Sequence, residues 1–164
     1  MRNALFFLVF LSVIFSPSCG LIHFGQGSVE VWIDHTPVDL PLQSATVFVQ
    51  SVKLGFMGHG DVEIPITPVE INLVGPSSNV FVGSFDLDAG SYDKIILTFK
   101  PGTVIYNDAE YEIELNTDKL EINYNFELEE GTKKRIFITI DGSSLSMEEG
   151  QVFKFNPVVY VSVE

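Results

Sequence analysis

Cysteine occurs once in the 164 residues, at Cys19, so there is no internal pair to oxidise and no disulfide framework can hold the chain together. Histidine is nearly as scarce, at His23, His35 and His59, which leaves few zinc ligands and few general bases for a Ser-His-Asp arrangement. Basic residues are few as well: 9 Lys and Arg stand against 22 Asp and Glu. A surface that negative repels nucleic acid and anionic head groups, while it is compatible with cations, neutral glycans or solubility alone. The chain has no Gly-x-Ser-x-Gly elbow, no glycine-rich phosphate loop and no His-Glu-x-x-His pair. Nor does any stretch beyond the N-terminal region keep a helical apolar period for more than about ten residues. These absences argue against an enzyme, against a bound cofactor and against a helical fold.

What is present begins with an apolar run over residues 4–15, behind Arg2 and ahead of Ser16-Pro17-Ser18-Cys19-Gly20. The run is shorter than the roughly 20 residues that cross a bilayer as a helix, and its charged start and small-residue exit are those of a secretory signal. In a bacterial lipoprotein signal, small residues directly precede a cysteine that becomes the diacylglyceryl-modified N-terminus. Ser18-Cys19-Gly20 supplies that chemistry, although Ser16 stands where a leucine-like residue is usual. The expected organisation is a signal peptide over 1–18, a lipid-anchor site and short tether over 19–27, and one domain over 28–164. Such a protein is held at the membrane of the cell envelope through Cys19. Cleavage by ordinary signal peptidase would instead leave a soluble secreted or periplasmic protein. Removing residues 1–18 takes away only Arg2 among the charged groups, so 8 basic and 22 acidic residues remain, a net charge of −14.

After Gly27 the chain is punctuated by Gly, Pro, Asn and Asp, and between those marks apolar residues recur with period two. Leu120, Ile122, Tyr124, Phe126 and Leu128 share one face, while Glu121, Asn123, Asn125, Glu127 and Glu129 share the other. Tyr111, Ile113 and Leu115 alternate with Glu110, Glu112 and Glu114 in the same way. Ile136, Ile138 and Ile140 follow a Glu130-Gly131 turn signal, so a hairpin is expected that sets Glu127 and Glu129 near Lys133 and Arg135. Further strands are expected over 29–33, 45–54, 69–73, 80–87, 92–99 and 103–106. A final one is expected over 152–163, with Pro157 marking an edge or bulge. In 45–54 the parity changes between Val49 and Val52, which calls for a β-bulge near Gln50-Ser51. The fold class expected is all-β, a two-sheet antiparallel sandwich, immunoglobulin-like or transthyretin-like, with the 14 phenylalanines filling its interior.

Three segments carry a family resemblance: Val29-Glu30-Val31-Trp32-Ile33-Asp34-His35-Thr36-Pro37, Ala45-Thr46-Val47-Phe48-Val49, and Leu87-Asp88-Ala89-Gly90-Ser91-Tyr92-Asp93-Lys94-Ile95-Ile96-Leu97-Thr98. Their order resembles the domain-of-unknown-function family DUF4382, in which a strand ends in a Thr-Asp-Ala-Pro-like turn and a Leu-Pro-Ala-Gly-Thr-Tyr-like turn later enters an Ile-Arg-Leu-Thr strand. The likeness spans about residues 28–163 and includes Asn156-Pro157-Val158-Val159. The first turn is longer or shifted by one residue here, Asp88 replaces the proline, and Ile96 stands where arginine is common. The resemblance implies an exported, often lipid-anchored β-domain, and no activity.

Several side chains are candidates for ligand contact. Asp34, His35 and Asp39 follow the first strand, and two carboxylates with an imidazole could hold a cation. The simpler reading gives Asp34 to the backbone of its own turn. His59 and Asp61 lie in Gly58-His59-Gly60-Asp61, which reads as a hairpin tip. Asp86 and Asp88 share a strand face and could contribute to calcium binding, yet no Asp-x-Asp-x-Asp-Gly loop is present. Trp32 and Tyr160 have the parity of an outer face, where aromatic rings stack on sugars or anchor a protein partner unless a loop covers them. The functional expectation is a binding or structural module of the envelope, with calcium or glycan binding as the alternative. No metal site and no catalytic residue is assigned.

Overall fold

Where apolar residues alternate, the backbone is extended and those residues face inward. In β1 (Gln26–His35), Val29, Val31 and Ile33 are fully buried and alternate with half-exposed Glu30, Trp32 and Asp34. The computed structural model describes residues 25–164. Their strands form two sheets that do not close into a barrel, the sandwich expected from the alternation.

One sheet has the order β13 (Val159–Val163), β10 (Lys133–Ile140), β1, β5 (Val80–Asp88). The other runs β11 (Leu145–Glu148), β12 (Val152–Phe155), β8 (Ala109–Leu115), β7 (Thr103–Tyr106), β2 (Ser44–Phe56), β6 (Gly90–Lys100), β9 (Lys119–Leu128). Two further strands, β3 (Gly60–Ile64) and β4 (Val69–Asn72), pair with successive stretches of β2. Most pairings are antiparallel, but β1 with β10 and β8 with β12 are parallel. The bulge expected near Gln50-Ser51 is present, since the register of β2 on β6 shifts between Val49 and Ser51. Gln50 turns outward there, and Val47, Val49, Val52 and Leu54 are all buried.

Four details depart from the sequence expectation. The segments 120–128 and 136–140 do not pair as a hairpin: β9 lies beside β6 in one sheet, and β10 lies between β1 and β13 in the other. Each strand has a single apolar face, and placing the two in opposite sheets buries Phe126 and Leu128 together with Ile136 and Ile138. Lys133 and Arg135 therefore meet Glu30 of β1, at 2.8 and 3.2 Å, and not Glu127 or Glu129. The segment 152–163 is likewise two strands in two sheets, with the chain crossing between them at the buried Pro157. Its parity is unbroken because both halves face the same interior. β1 begins at Gln26, within the stretch expected to be tether. Finally, phenylalanine does not fill the core: five of the 14 precede residue 25, Phe48, Phe81, Phe85 and Phe137 are not buried, and Val, Ile and Leu dominate the interior.

The β5–β6 turn fixes one end of the sandwich. Gly90 has φ +152°, a conformation side-chain-bearing residues rarely adopt, and a Cβ there would stand 2.5 Å from the Phe56 ring. Tyr92 is buried, with its ring 5.0 Å from those of both Phe56 and Phe126, and its hydroxyl donates to the Asp88 carbonyl at 2.8 Å. Burial, with the nearby Asp88 charge adding to it, pushes the Tyr92 hydroxyl up to about 12.

Truncating Phe126 or Ile138 to alanine is expected to cost about 2 to 5 kcal/mol in chemical denaturation. Glu121→Ala, which removes only an exposed ion pair to Lys94, is expected to cost under about 1 kcal/mol. Gly90→Val should destabilise although it deletes no contact. Equal costs for Glu121→Ala and Phe126→Ala would contradict the face assignment. Because the folded state holds the Tyr92 proton more tightly, that contribution is complete below pH ~10 and is lost as pH rises to about 12. The stability advantage of wild type over Tyr92→Phe is therefore expected to shrink over that window; an advantage independent of pH would contradict the burial of the hydroxyl.

Candidate functional site

The outer face of the β13-β10-β1-β5 sheet collects four aromatic residues, half-buried Trp32 and Phe137 and exposed Phe81 and Tyr160. Trp32 stands opposite Phe137 on one neighbouring strand and opposite Phe81 on the other, so three rings form a row across three strands. The Trp32 and Phe137 rings lie 6.3 Å apart and tilt by only 24°, and Phe81 sits 4.8 Å from Trp32 at 49°. Tyr160, 59% exposed, pairs with Thr139 and so stands diagonal to Phe137 on the edge strand. Phe81 is 49% exposed.

Phe81 reaches this face through a bulge. Val31 pairs with Gly83 and Trp32 with Phe81, which leaves Val82 as an extra residue on β5 and reverses the parity of everything before it. Val80 and Val82 pack against the core as a result, and Phe81 turns out. Strict period two from Phe85 and Leu87 would have put Phe81 inside. The row's other unanticipated member, Phe137, alternates with Ile136 and Ile138 and was legible as outward by parity alone.

Charges border the row, and each carboxylate has its own partners. Glu30 pairs with Lys133 and Arg135, and the hydrogen bond from Lys133, aided by Arg135, holds its carboxyl below the usual carboxylate range. Beyond the row, both oxygens of Asp34 accept from the Ser77 hydroxyl at 2.9 and 2.8 Å, and the His35 N–H donates to Asp34 at 2.7 Å. Asp141 caps the 3-10 turn Gly142–Ser144 and accepts from the Ser143 hydroxyl and N–H, from Thr36 and, at 3.4 Å, from Tyr160. Those hydrogen bonds, Ser143 foremost, lower its carboxyl as well. The Trp32 indole Nε1 is buried without a hydrogen-bond partner among the described residues.

The remaining candidates do not converge. Asp34 and His35 point to opposite faces of β1: the carboxylate is outside, whereas the imidazole is buried, only 4% exposed, with Nε2 unpartnered. Asp39 is exposed in the segment between β1 and β2. Asp86 and Asp88 are exposed on the edge strand β5, opposite Ser28 and Gln26. His59 is at the tip between β2 and β3, between the positive-φ glycines Gly58 and Gly60, with its ring stacked on Phe56, and Asp61 pairs with Lys94 at 3.3 Å. Among the described residues no group of three or more His, Cys, Asp or Glu side chains is placed to hold a metal ion. A groove of about 380 Å³ opens between the sheets beside β9 and β10, lined by Tyr124, Phe126, Glu127, Lys134 and Val163 among others, and contains none of the sequence candidates. Cys19, the signal peptide expected over 1–18 and His23 lie outside the described residues.

Compared with family models, with curated proteins and with solved structures, the chain matches none.

Proposed function

We propose that the chain is an exported, lipid-anchored module of the cell envelope whose binding surface is the aromatic face of the β13-β10-β1-β5 sheet. The observation that carries the binding reading is the row Phe81, Trp32, Phe137, extended by Tyr160, on a solvent-facing sheet. Large aromatic surface left in water gains about 25 cal/mol for every Å² that a partner covers. A sheet also holds such rings more rigidly than a loop does, so little ordering entropy is lost on binding.

The address rests on the sequence: Arg2, the apolar run 4–15 and Ser18-Cys19-Gly20, together with the resemblance to DUF4382. It fits the way the chain enters the sandwich. The Gly25 carbonyl accepts from Ala89 and the Gln26 carbonyl from Gly131, so β1 starts at the end formed by the β5–β6 and β9–β10 turns. Residues 19–25 reach no further than roughly 25 Å, which keeps that end next to the anchor. Trp32 is six residues along β1 from Gln26, about 20 Å further out.

Two arms test the proposal in cells that express the protein. Cys19→Ala should abolish incorporation of labelled palmitate and move the protein from the membrane to the soluble fraction; unchanged membrane association would overturn the anchor. A photo-crosslinking residue at position 81 should capture an envelope component, while the same residue at position 121, on the outer face of the other sheet, should capture none. Equal capture at both positions, or none at 81, would overturn the binding face.

A further inference from the structure

We infer that the occupant of the aromatic face is a neutral glycan, an inference that rests on the binding-face reading above. The C–H faces of a sugar ring are apolar and its edge is a fringe of hydroxyls, so a sugar needs rings to lie against and neutral hydrogen-bonding groups beside them. The sheet provides both. Trp32 and Phe137 present rings within 24° of one another, and Phe81 and Tyr160 extend the surface to the outer two strands. Around them the cross-strand positions are hydroxyls: Ser162 opposite Phe137, Thr139 opposite Asp34 and Ser84 opposite Glu30.

Charge decides against acidic occupants. Glu30 is ion-paired with Lys133 and Arg135, while Asp34 and Asp141 are hydrogen-bonded by the neutral groups of Ser77, Ser143 and Thr36 and keep their negative charge beside the row. The net charge of −14 beyond residue 18 repels acidic polysaccharides and anionic lipid. An uncharged, hydroxyl-rich chain meets no such repulsion.

Trp32 is the only tryptophan in the chain, so intrinsic fluorescence reports this face alone. The domain is titrated with soluble neutral glucan, mannan and xylan, and with polygalacturonate as an acidic counterpart. At least one neutral polymer is expected to shift Trp32 emission to the blue and shield it from acrylamide, with no response to polygalacturonate. Phe81→Ala and Tyr160→Ala, both exposed positions, are each expected to weaken binding roughly tenfold with little change in the denaturation midpoint. Silence from every neutral polymer, or an equal response to polygalacturonate, would overturn the glycan inference. If the polymers are silent while the crosslinker at position 81 captures a protein, the glycan inference falls and the binding face stands. If position 81 also captures nothing, both fall.

Discussion

The parallel pairing of β1 with β10 is the constraint on which the rest of the structure depends. It joins residues about a hundred positions apart, places Val29, Val31 and Ile33 beside Lys134, Ile136 and Ile138, and leaves Glu30 against Lys133 and Arg135 on the outside. A slip of one residue would turn the three buried apolar side chains of β1 outward and Glu30, Trp32 and Asp34 inward, so the register is set by burial and not by the exposed ion pairs. The same register lines Trp32 up with Phe137. Core and candidate site are thus two faces of one pairing. The turn at Glu130-Gly131 is shaped by it too, because the Gly131 N–H donates to the Gln26 carbonyl and the Ser28 N–H to Thr132.

Strand positions and inward faces were legible in the sequence because period two is a local property: a residue's parity is decided by its neighbours. Even the β2 bulge could be read from the change of parity between Val49 and Val52. Pairing partners were not legible in the same way. Alternation in 120–128 and 136–140 is satisfied equally by a hairpin and by two strands facing each other across the core, and only the burial available in the whole molecule separates the two. The unbroken parity of 152–163 concealed a change of sheet for the same reason. β3 and β11, short strands with few buried residues, carried too little apolar signal to be seen.

The candidate site shows the same division. Trp32 and Tyr160 were legible as outward, and each was an isolated aromatic until pairing brought them beside Phe137 and Phe81. Phe81 depends on the extra residue at Val82, a feature of the β1–β5 register that parity within 80–87 cannot reveal. The polar candidates failed in the opposite direction. Adjacent in sequence, Asp34 and His35 looked like a pair, yet neighbouring residues of a strand point to opposite faces, and the imidazole is in the core. What the surface retains is a neutral aromatic strip on a strongly acidic domain, and it is this contrast that gives the face its chemical character.

The most direct test of the account is an NMR measurement of inter-strand nuclear Overhauser contacts in the isolated domain. The parallel β1–β10 register requires contacts linking Val31 with Ile136 and Trp32 with Phe137, together with protection of the β1 and β10 amides from exchange. A ladder of backbone contacts running along 120–128 and 133–140, as in a β9–β10 hairpin, would contradict it and would remove the basis for both the core and the aromatic face.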